Sequence, residues 1–182
     1  MSRNLLWVVA AAFCLITFSP AVKASSAYEI DVEVDATLDR FFHNIRGARE
    51  LANKAVGILV FPSVVKAGFG LGGEYGEGAL RIRGRTVDYY NTVSASVGFQ
   101  LGIQERSIII MFMTPEALDQ FRRTAGWKVG ADASVAIITV GVGGSIDSNK
   151  ITSPVVGFIL DPKGLMYNLT LEGTKITRIN PR

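Results

Sequence analysis

The first regular pattern of apolar residues after the N-terminal segment has helical spacing. Apolar side chains recur there at intervals of three and four residues, at Leu38, Phe41, Phe42, Ile45 and Ala52. This stripe predicts an amphipathic helix over residues 36–52, with Asp35 as its N-cap and a polar lead-in over residues 25–35. Such a helix either docks on a sheet or lies in a membrane surface. The membrane alternative would use the aromatic and cationic side chains of Phe41, Phe42, Arg40, Arg46 and Arg49.

After Gly57 the pattern changes to that of strands and turns. Residues 93–103 give the clearest alternation of apolar with small or polar residues, and Arg83-Gly84-Arg85 predicts the tip of a hairpin. Thr114 as N-cap and Pro115 at the first helical position predict a short internal helix. The order of elements predicts an α+β fold. We expect a curved antiparallel β-sheet or barrel-like core with an N-terminal amphipathic helix and one short internal helix.

A run of alternating glycines interrupts the strand pattern. Its members share one parity and are Gly68, Gly70, Gly72, Gly76 and Gly78. Glycine weakens a strand unless a bend or the close approach of another group requires it, so we expect a curved sheet onto which something packs closely. Tyr75 and Leu80 have opposite parity. If both face one core, a bulge or turn is expected at residues 76–78.

Residues 1–24 have the composition of a secretory signal peptide. A positive start at Arg3 precedes a short apolar stretch, and cleavage is expected after Ala24. Cys14 is the only cysteine and lies in this segment, so the processed chain would hold no disulfide and no thiolate metal site. Losing Arg3 and Lys23 lowers the formal net charge from +3 to +1, which argues against nucleic-acid binding. We expect a single domain over residues 36–182, exported to the periplasm or cell envelope, or secreted.

Alternating arginines are the strongest candidates for a binding site. Arg81, Arg83 and Arg85 lie around the predicted hairpin tip, and a guanidinium group matches the geometry of a phosphate. These arginines would contact lipid head groups, unless they are solvated charges that discourage edge pairing of strands. A second group of candidates consists of Lys66, Arg122, Arg123 and Lys128.

No catalytic or metal-binding motif stands out in the sequence. There is no nucleophile elbow, no phosphate-binding loop with its lysine and no paired-histidine motif, and His43 is the only histidine. Glu74 and Glu77 would lie on opposite faces of a strand. We therefore predict a protein that is not an enzyme and that uses no cofactor or metal.

Several segments together resemble the SYLF domain, also known as the actin-binding domain of certain yeast SH3-domain proteins. They are GILVFPSVVKAGFGLGGEYGEGALRIRG, YYNTVSASVGFQLGIQ, IIIMFMTPEALDQFR, GWKVGADASVAI, TVGVGGSID and GLMYNLTLEG. The resemblance covers roughly residues 36–179. It implies a compact domain of antiparallel strands with a few helices, and binding to lipids, particularly anionic or phosphoinositide head groups. It also implies actin binding in some eukaryotic members.

Two functions follow as hypotheses. The first is an exported, non-catalytic lipid-binding module that associates peripherally with a membrane through anionic head groups. The alternative is a structural or adaptor protein of the cell envelope that binds a protein partner. The sequence leaves the oligomeric state open.

Overall fold

The computed structural model describes residues 25–98, 104–138, 145–160 and 171–181. Its helices are α1 (Ala27–Asn44), α2 (Ala48–Lys54) and α3 (Pro115–Arg123), with a short 3-10 turn at Ser148–Lys150. Its strands are β1 (Gly57–Ile82), β2 (Arg85–Gly98), β3 (Gln104–Phe112), β4 (Trp127–Lys128), β5 (Ala136–Ile137), β6 (Val155–Leu160) and β7 (Lys175–Ile179). The predicted signal peptide lies outside the described residues, as does the end of the predicted strand over residues 99–103. Within the described ranges, no helix is both long and apolar enough to cross a bilayer.

The strands form one sheet that curls into a half-barrel. Its order is β4-β7-β2-β1-β3-β6-β5, and neighbouring strands are antiparallel except for β5 and β6, which are parallel. The prediction of an α+β fold with a curved sheet, an N-terminal helix and a short internal helix is confirmed. Thr114 caps α3 as expected, because its side chain accepts a hydrogen bond from the Ala117 amide at 3.3 Å.

Strand β1 is 26 residues long and folds back on itself, which is what the alternating glycines permit. Its first half pairs with β3 and its second half pairs with β2. A β-carbon on Gly76 would lie 2.6 Å from the Ser63 carbonyl oxygen, and one on Gly78 would lie 2.7 Å from the Phe61 ring. Real β-carbons do not approach other atoms so closely. The expected close packing is therefore that of one half of β1 against the other.

The expected bulge lies elsewhere. Pairing between β1 and β2 is regular from Gly70 to Leu80, and the register shifts only between Leu80 and Arg81, opposite the extra residue Val87. The prediction of a bulge at residues 76–78 is wrong because its premise fails. Tyr75 is exposed on the outer face of the sheet, whereas Leu80 is buried on the inner face.

Helix α1 begins earlier than the sequence analysis predicted, so residues 25–35 are not a polar lead-in. Ser26, not Asp35, is the N-cap: its hydroxyl accepts from the Glu29 amide at 3.2 Å, and the Glu29 carboxylate accepts from the Ser26 amide at 2.8 Å. Ile30 and Val34 extend the buried stripe upstream. The predicted single helix is also broken, because Gly47 adopts a φ of +81° between α1 and α2.

Two cores hold the sheet and helices together. On the inner face, α3 inserts Phe121 between Tyr90, Phe112 and Trp127, at ring distances of 4.8, 4.8 and 5.3 Å. On the outer face, α1 and α2 pack on β1, β3 and β6, and Phe41 of α1 lies 4.9 Å from Phe158. These two layers fix the helices against the β1–β2 hairpin, where the candidate site lies.

Candidate functional site

The β1–β2 hairpin ends in a two-residue loop. Arg83 and Gly84 have φ values of 51° and 75°, and left-handed conformations at both positions match the twist of a tight hairpin. The loop places Arg83 at the tip and Arg85 at the start of β2, and both residues are exposed. Within the described part of the chain, neither side chain has an ion-pair partner.

Arg81 has a different role from the one predicted. Its Nη2 lies 2.8 Å from Asp35 Oδ1 and 3.5 Å from Asp31 Oδ1, and it donates to the Asp31 carbonyl oxygen at 3.3 Å. Thr86 and Tyr89 also donate hydroxyl hydrogen bonds to the Asp31 carboxylate, at 2.6 and 3.0 Å. The Arg81 side chain is only 14% exposed. It therefore fastens α1 to the hairpin instead of presenting a free guanidinium to a head group.

A groove of about 1070 Å³ opens between the second half of α1, the end of α2 and the hairpin tip. Its apolar lining comes from Leu38, Phe42, Val56, Ile58 and Ile82. Its charged lining comes from Asp35, Asp39, Lys54, Arg81 and Arg83. The groove thus combines an apolar floor with charged side chains, which is the composition of a site for an amphipathic ligand.

Three of these five charged side chains are already engaged within the protein. Arg81 and Asp35 pair with each other. Lys54 Nζ donates to Ser148 Oγ at 2.7 Å and lies 3.3 Å from Glu50 Oε1. The hydrogen bond from Ser148 and the nearby ammonium of Lys54 lower the pKa of Glu50. Arg83 and Asp39 are left, one of each sign, with no ion pair among the described residues.

The predicted membrane-facing residues do not share one exposed face. Phe41 is fully buried in the outer core, which corrects its assignment to a membrane contact. Phe42 is half-buried at the groove, and the Arg49 guanidinium lies 4.5 Å from its ring centroid. Arg40 donates to the Thr37 hydroxyl at 3.2 Å. Arg46 is exposed and its backbone forms a bridge with the segment that begins at Ser145.

Helix α1 as a whole is acidic. It holds one arginine and no lysine, against the five carboxylates of Glu29, Asp31, Glu33, Asp35 and Asp39. Such a helix would be repelled by an anionic surface if it approached with its outer side. The cations available at this end of the molecule belong to α2 and to the hairpin tip.

Two of the second group of predicted residues take part in internal ion pairs. Arg122 lies 3.3 Å from the Asp88 carboxylate, which is only 2% exposed and also pairs with Arg178. Lys66 lies 4.0 Å from the Glu74 carboxylate, which pairs with Arg106 as well. Sequence reasoning missed both acidic centres. Asp88 and Tyr90 are two residues apart on β2, so their side chains lie on the same face of the strand. Because an aromatic residue such as Tyr90 is usually buried, this spacing could have indicated that Asp88 is buried too.

Arg123 and Lys128 are the remaining members of that group. Both residues are exposed, one at the end of α3 and the other on β4. Neither has a side-chain ion pair in the described ranges. They are therefore accessible cations that lie outside the groove lining.

The described residues show no cluster of three or more histidine, cysteine or acidic side chains able to hold a metal ion. Glu74 points to the inner face, whereas Glu77 on the outer face accepts from the Tyr75 hydroxyl at 2.7 Å and from the Ser25 amide at 2.9 Å. The two carboxylates are thus separated by the sheet, as predicted. His43 is exposed on α1.

Fold and site define an α+β domain whose sheet is curled around an inner core and covered on its outer face by helices. The family model of Ysc84, described as Las17-binding protein actin regulator, matches residues 93–180 and confirms the resemblance to the SYLF domain. The matched family is one of lipid- and actin-binding modules. No curated protein matches the chain. Apart from Pro115, the residues that line the groove precede the matched segment.

Proposed function

We propose that this protein is an exported, non-catalytic module that associates peripherally with membranes through anionic lipid head groups. The observation that carries the proposal is the hairpin tip, where Arg83 is exposed beside the groove and has no ion pair among the described residues. Arg85 follows on the same hairpin tip, and the Arg49 guanidinium lies over the Phe42 ring. These three arginines are the head-group contacts that the geometry supports best.

The expected binding is weak and sensitive to salt. A basic side chain near an anionic leaflet contributes about 1 kcal/mol, so Arg49, Arg83 and Arg85 together contribute about 3 kcal/mol. Exposed charges are screened within about 10 Å at 0.1 M salt. A module of this kind would bind the membrane reversibly.

Flotation with vesicles tests the proposal. The protein is mixed with vesicles of phosphatidylglycerol and phosphatidylcholine, and with vesicles of phosphatidylcholine alone, at low and at high salt. We expect flotation only with the anionic vesicles, and release at high salt. An Arg83→Ala/Arg85→Ala variant should bind about 30-fold more weakly, because it loses about 2 kcal/mol.

The matched control removes the same charge away from the groove. An Arg123→Ala/Lys128→Ala variant loses two exposed cations that do not line it. We expect it to float like the wild type. Equal losses in both variants would refute the assignment to the hairpin tip, and equal binding to neutral vesicles would refute the anionic head group.

A second candidate function has its own observation. Tyr75 and Val93 are paired across β1 and β2 on a part of the outer face that α1 leaves uncovered, and they are 36% and 46% exposed. An uncovered apolar strip on a sheet favours the alternative of an envelope adaptor that binds a protein partner. Failure of flotation with anionic vesicles would favour this alternative.

Export is part of the proposal and rests on the composition of residues 1–24. Cell fractionation followed by intact-mass analysis tests it. We expect protein that lacks residues 1–24 in the periplasmic or envelope fraction. Full-length protein confined to the cytoplasm would refute export.

A further inference from the structure

We propose that the groove between α1, α2 and the hairpin tip holds a single zwitterionic phospholipid with an ammonium head group, of the phosphatidylethanolamine class. This inference rests on the proposed function and adds to it the class of lipid and its binding position in the groove, the seat. The apolar lining, with Leu38, Phe42 and Ile58, would take part of an acyl chain. Small-ligand pockets measure roughly 300–1,000 Å³, so a groove of about 1070 Å³ is large for a head group alone.

Charge complementarity selects the head group. Three of the charged side chains in the lining already have partners: Arg81 pairs with Asp35, and Lys54 donates a hydrogen bond to Ser148. Arg83 and Asp39 are the charged groups left for a ligand. A phosphate fits Arg83, since a guanidinium offers it two parallel donors. An ammonium group that can donate hydrogen bonds fits the Asp39 carboxylate. A ligand with one anion and one cation matches this rim better than a purely anionic lipid does.

The experiment measures which lipid the protein retains. Purified protein is incubated with vesicles of phosphatidylethanolamine and phosphatidylglycerol in equal amounts, re-isolated, and analysed by native mass spectrometry. We expect one phosphatidylethanolamine per protein. Glycerophosphoethanolamine, which lacks acyl chains, should show no binding by calorimetry. No retained lipid, or preferential retention of phosphatidylglycerol, would overturn the proposal.

Two variants separate the seat from general membrane association. Asp39→Asn should lower the ratio of the two retained lipids by about three- to fivefold, the effect expected of one exposed charge pair. Asp119→Asn, on the exposed side of α3, is the matched control and should leave the ratio unchanged. Asn53→Trp places a large side chain in the groove from an exposed position of α2. It should abolish lipid retention and leave flotation on anionic vesicles intact.

These outcomes distinguish the two proposals. Loss of retained lipid in Asn53→Trp with normal flotation supports the seat. Normal flotation with no lipid retained by the wild type overturns the seat and leaves the peripheral association standing. Retained lipid that is unaffected by Asn53→Trp places the lipid elsewhere and also overturns the seat.

A different observation carries a second inference: we infer that Glu77 anchors the amino terminus that signal cleavage would create. The Ser25 backbone nitrogen donates to Glu77 Oε2 at 2.9 Å, and Ser26, the next residue, caps α1. Hydrolysis of the bond between Ala24 and Ser25 by a signal peptidase consumes one water, leaving a carboxylate on Ala24 and an amino group on Ser25. Once protonated, this amino group converts the hydrogen bond to Glu77 into an ion pair.

The groups around the new terminus would favour its charged form. Glu77 faces it from β1, and Glu29, which accepts from the Ser26 amide, lies on the first turn of α1. The Tyr75 hydroxyl donates to the other oxygen of Glu77. Nearby carboxylates raise the pKa of an amino group, so the α-amino pKa should lie above its usual value of about 7.7–8.0.

Intact mass and NMR titration of the processed protein test this inference. We expect a mature chain that begins at Ser25, an α-amino pKa above the usual range, and a return toward that range in Glu77→Gln. Glu33→Gln, at an exposed position on α1, is the control and should leave the pKa unchanged. A different first residue, or an α-amino pKa that ignores Glu77→Gln, would overturn it.

Discussion

Replacing Gly78 with alanine should destabilise the protein by disturbing the fold-back of β1. A β-carbon at this position would lie 2.7 Å from the Phe61 ring and 2.8 Å from the Val60 carbonyl carbon, with the carbonyl oxygen closer still. The obstacle is mainly backbone. Val60 is held by its pairing with Ile109 of β3, so it cannot move aside without disturbing the sheet.

The magnitude follows from two opposing effects. Overpacking a tight site costs about 1–3 kcal/mol. Replacing glycine by alanine stabilises the fold by about 0.4–1 kcal/mol, because it lowers the conformational entropy of the unfolded chain. Because a paired backbone must shift, we expect a net loss of about 2 kcal/mol for Gly78→Ala. For a domain of this size, this loss lowers the midpoint of thermal unfolding by about 4–8 °C.

Thermal and urea unfolding, followed by the fluorescence of buried Trp127, measure the effect. Gly73→Ala is the matched control in the same strand, because its nearest obstacle is the Ser94 carbonyl oxygen at an ordinary 3.8 Å. The control should be within about 0.5 kcal/mol of the wild type or slightly more stable. Equal stability of the two variants would refute the argument that the two halves of β1 touch at Gly78.

Three further predictions concern buried polar groups. Arg81→Ala should cost about 1.5–3 kcal/mol and speed hydrogen exchange in α1, since it removes charged hydrogen bonds; unchanged exchange would contradict this. Asp88→Asn should lower the urea midpoint by an amount equivalent to about 1–3 kcal/mol, because two arginines lose their shared carboxylate; an unchanged midpoint would contradict it. Burial raises the pKa of Tyr90 to about 12, so its contribution to stability is complete below pH 10 and is lost between pH 10 and 12. In urea titrations the loss should be smaller in Tyr90→Phe than in the wild type, by at most about 2.7 kcal/mol; the remaining loss comes from Tyr75 and Tyr89, whose pKa values are also raised.

The parts of the fold that local chemistry determines could be predicted from the sequence. Thr114 and Pro115 mark the start of α3 because both act within one helical turn. Arg83 and Gly84 mark the hairpin because glycine tolerates a positive φ. The close approach at the alternating glycines was also predictable, although its partner was not, because the contact joins residues about 18 positions apart.

The parts that depend on distant residues could not be predicted. The sequence analysis places Asp31 in a polar lead-in and Asp35 at an N-cap, so it does not predict their pairing with Arg81. The capping pattern of Ser26 and Glu29 is the signal that α1 starts earlier. Asp88 meets Arg178 only because β2 pairs with β7. The groove draws on α1, α2 and the hairpin tip, and no single segment has a pattern that reveals it.

The pairing of β2 with β7 has a consequence for the order of events during synthesis. Tyr89 lies opposite Ile179, so this edge of the sheet cannot close until the chain has been made as far as β7. Contacts between residues so far apart in sequence slow folding, because a long loop must close before any of them forms. During synthesis β2 would therefore keep an unpaired edge until β7 has been made, and an unpaired edge can pair with another chain.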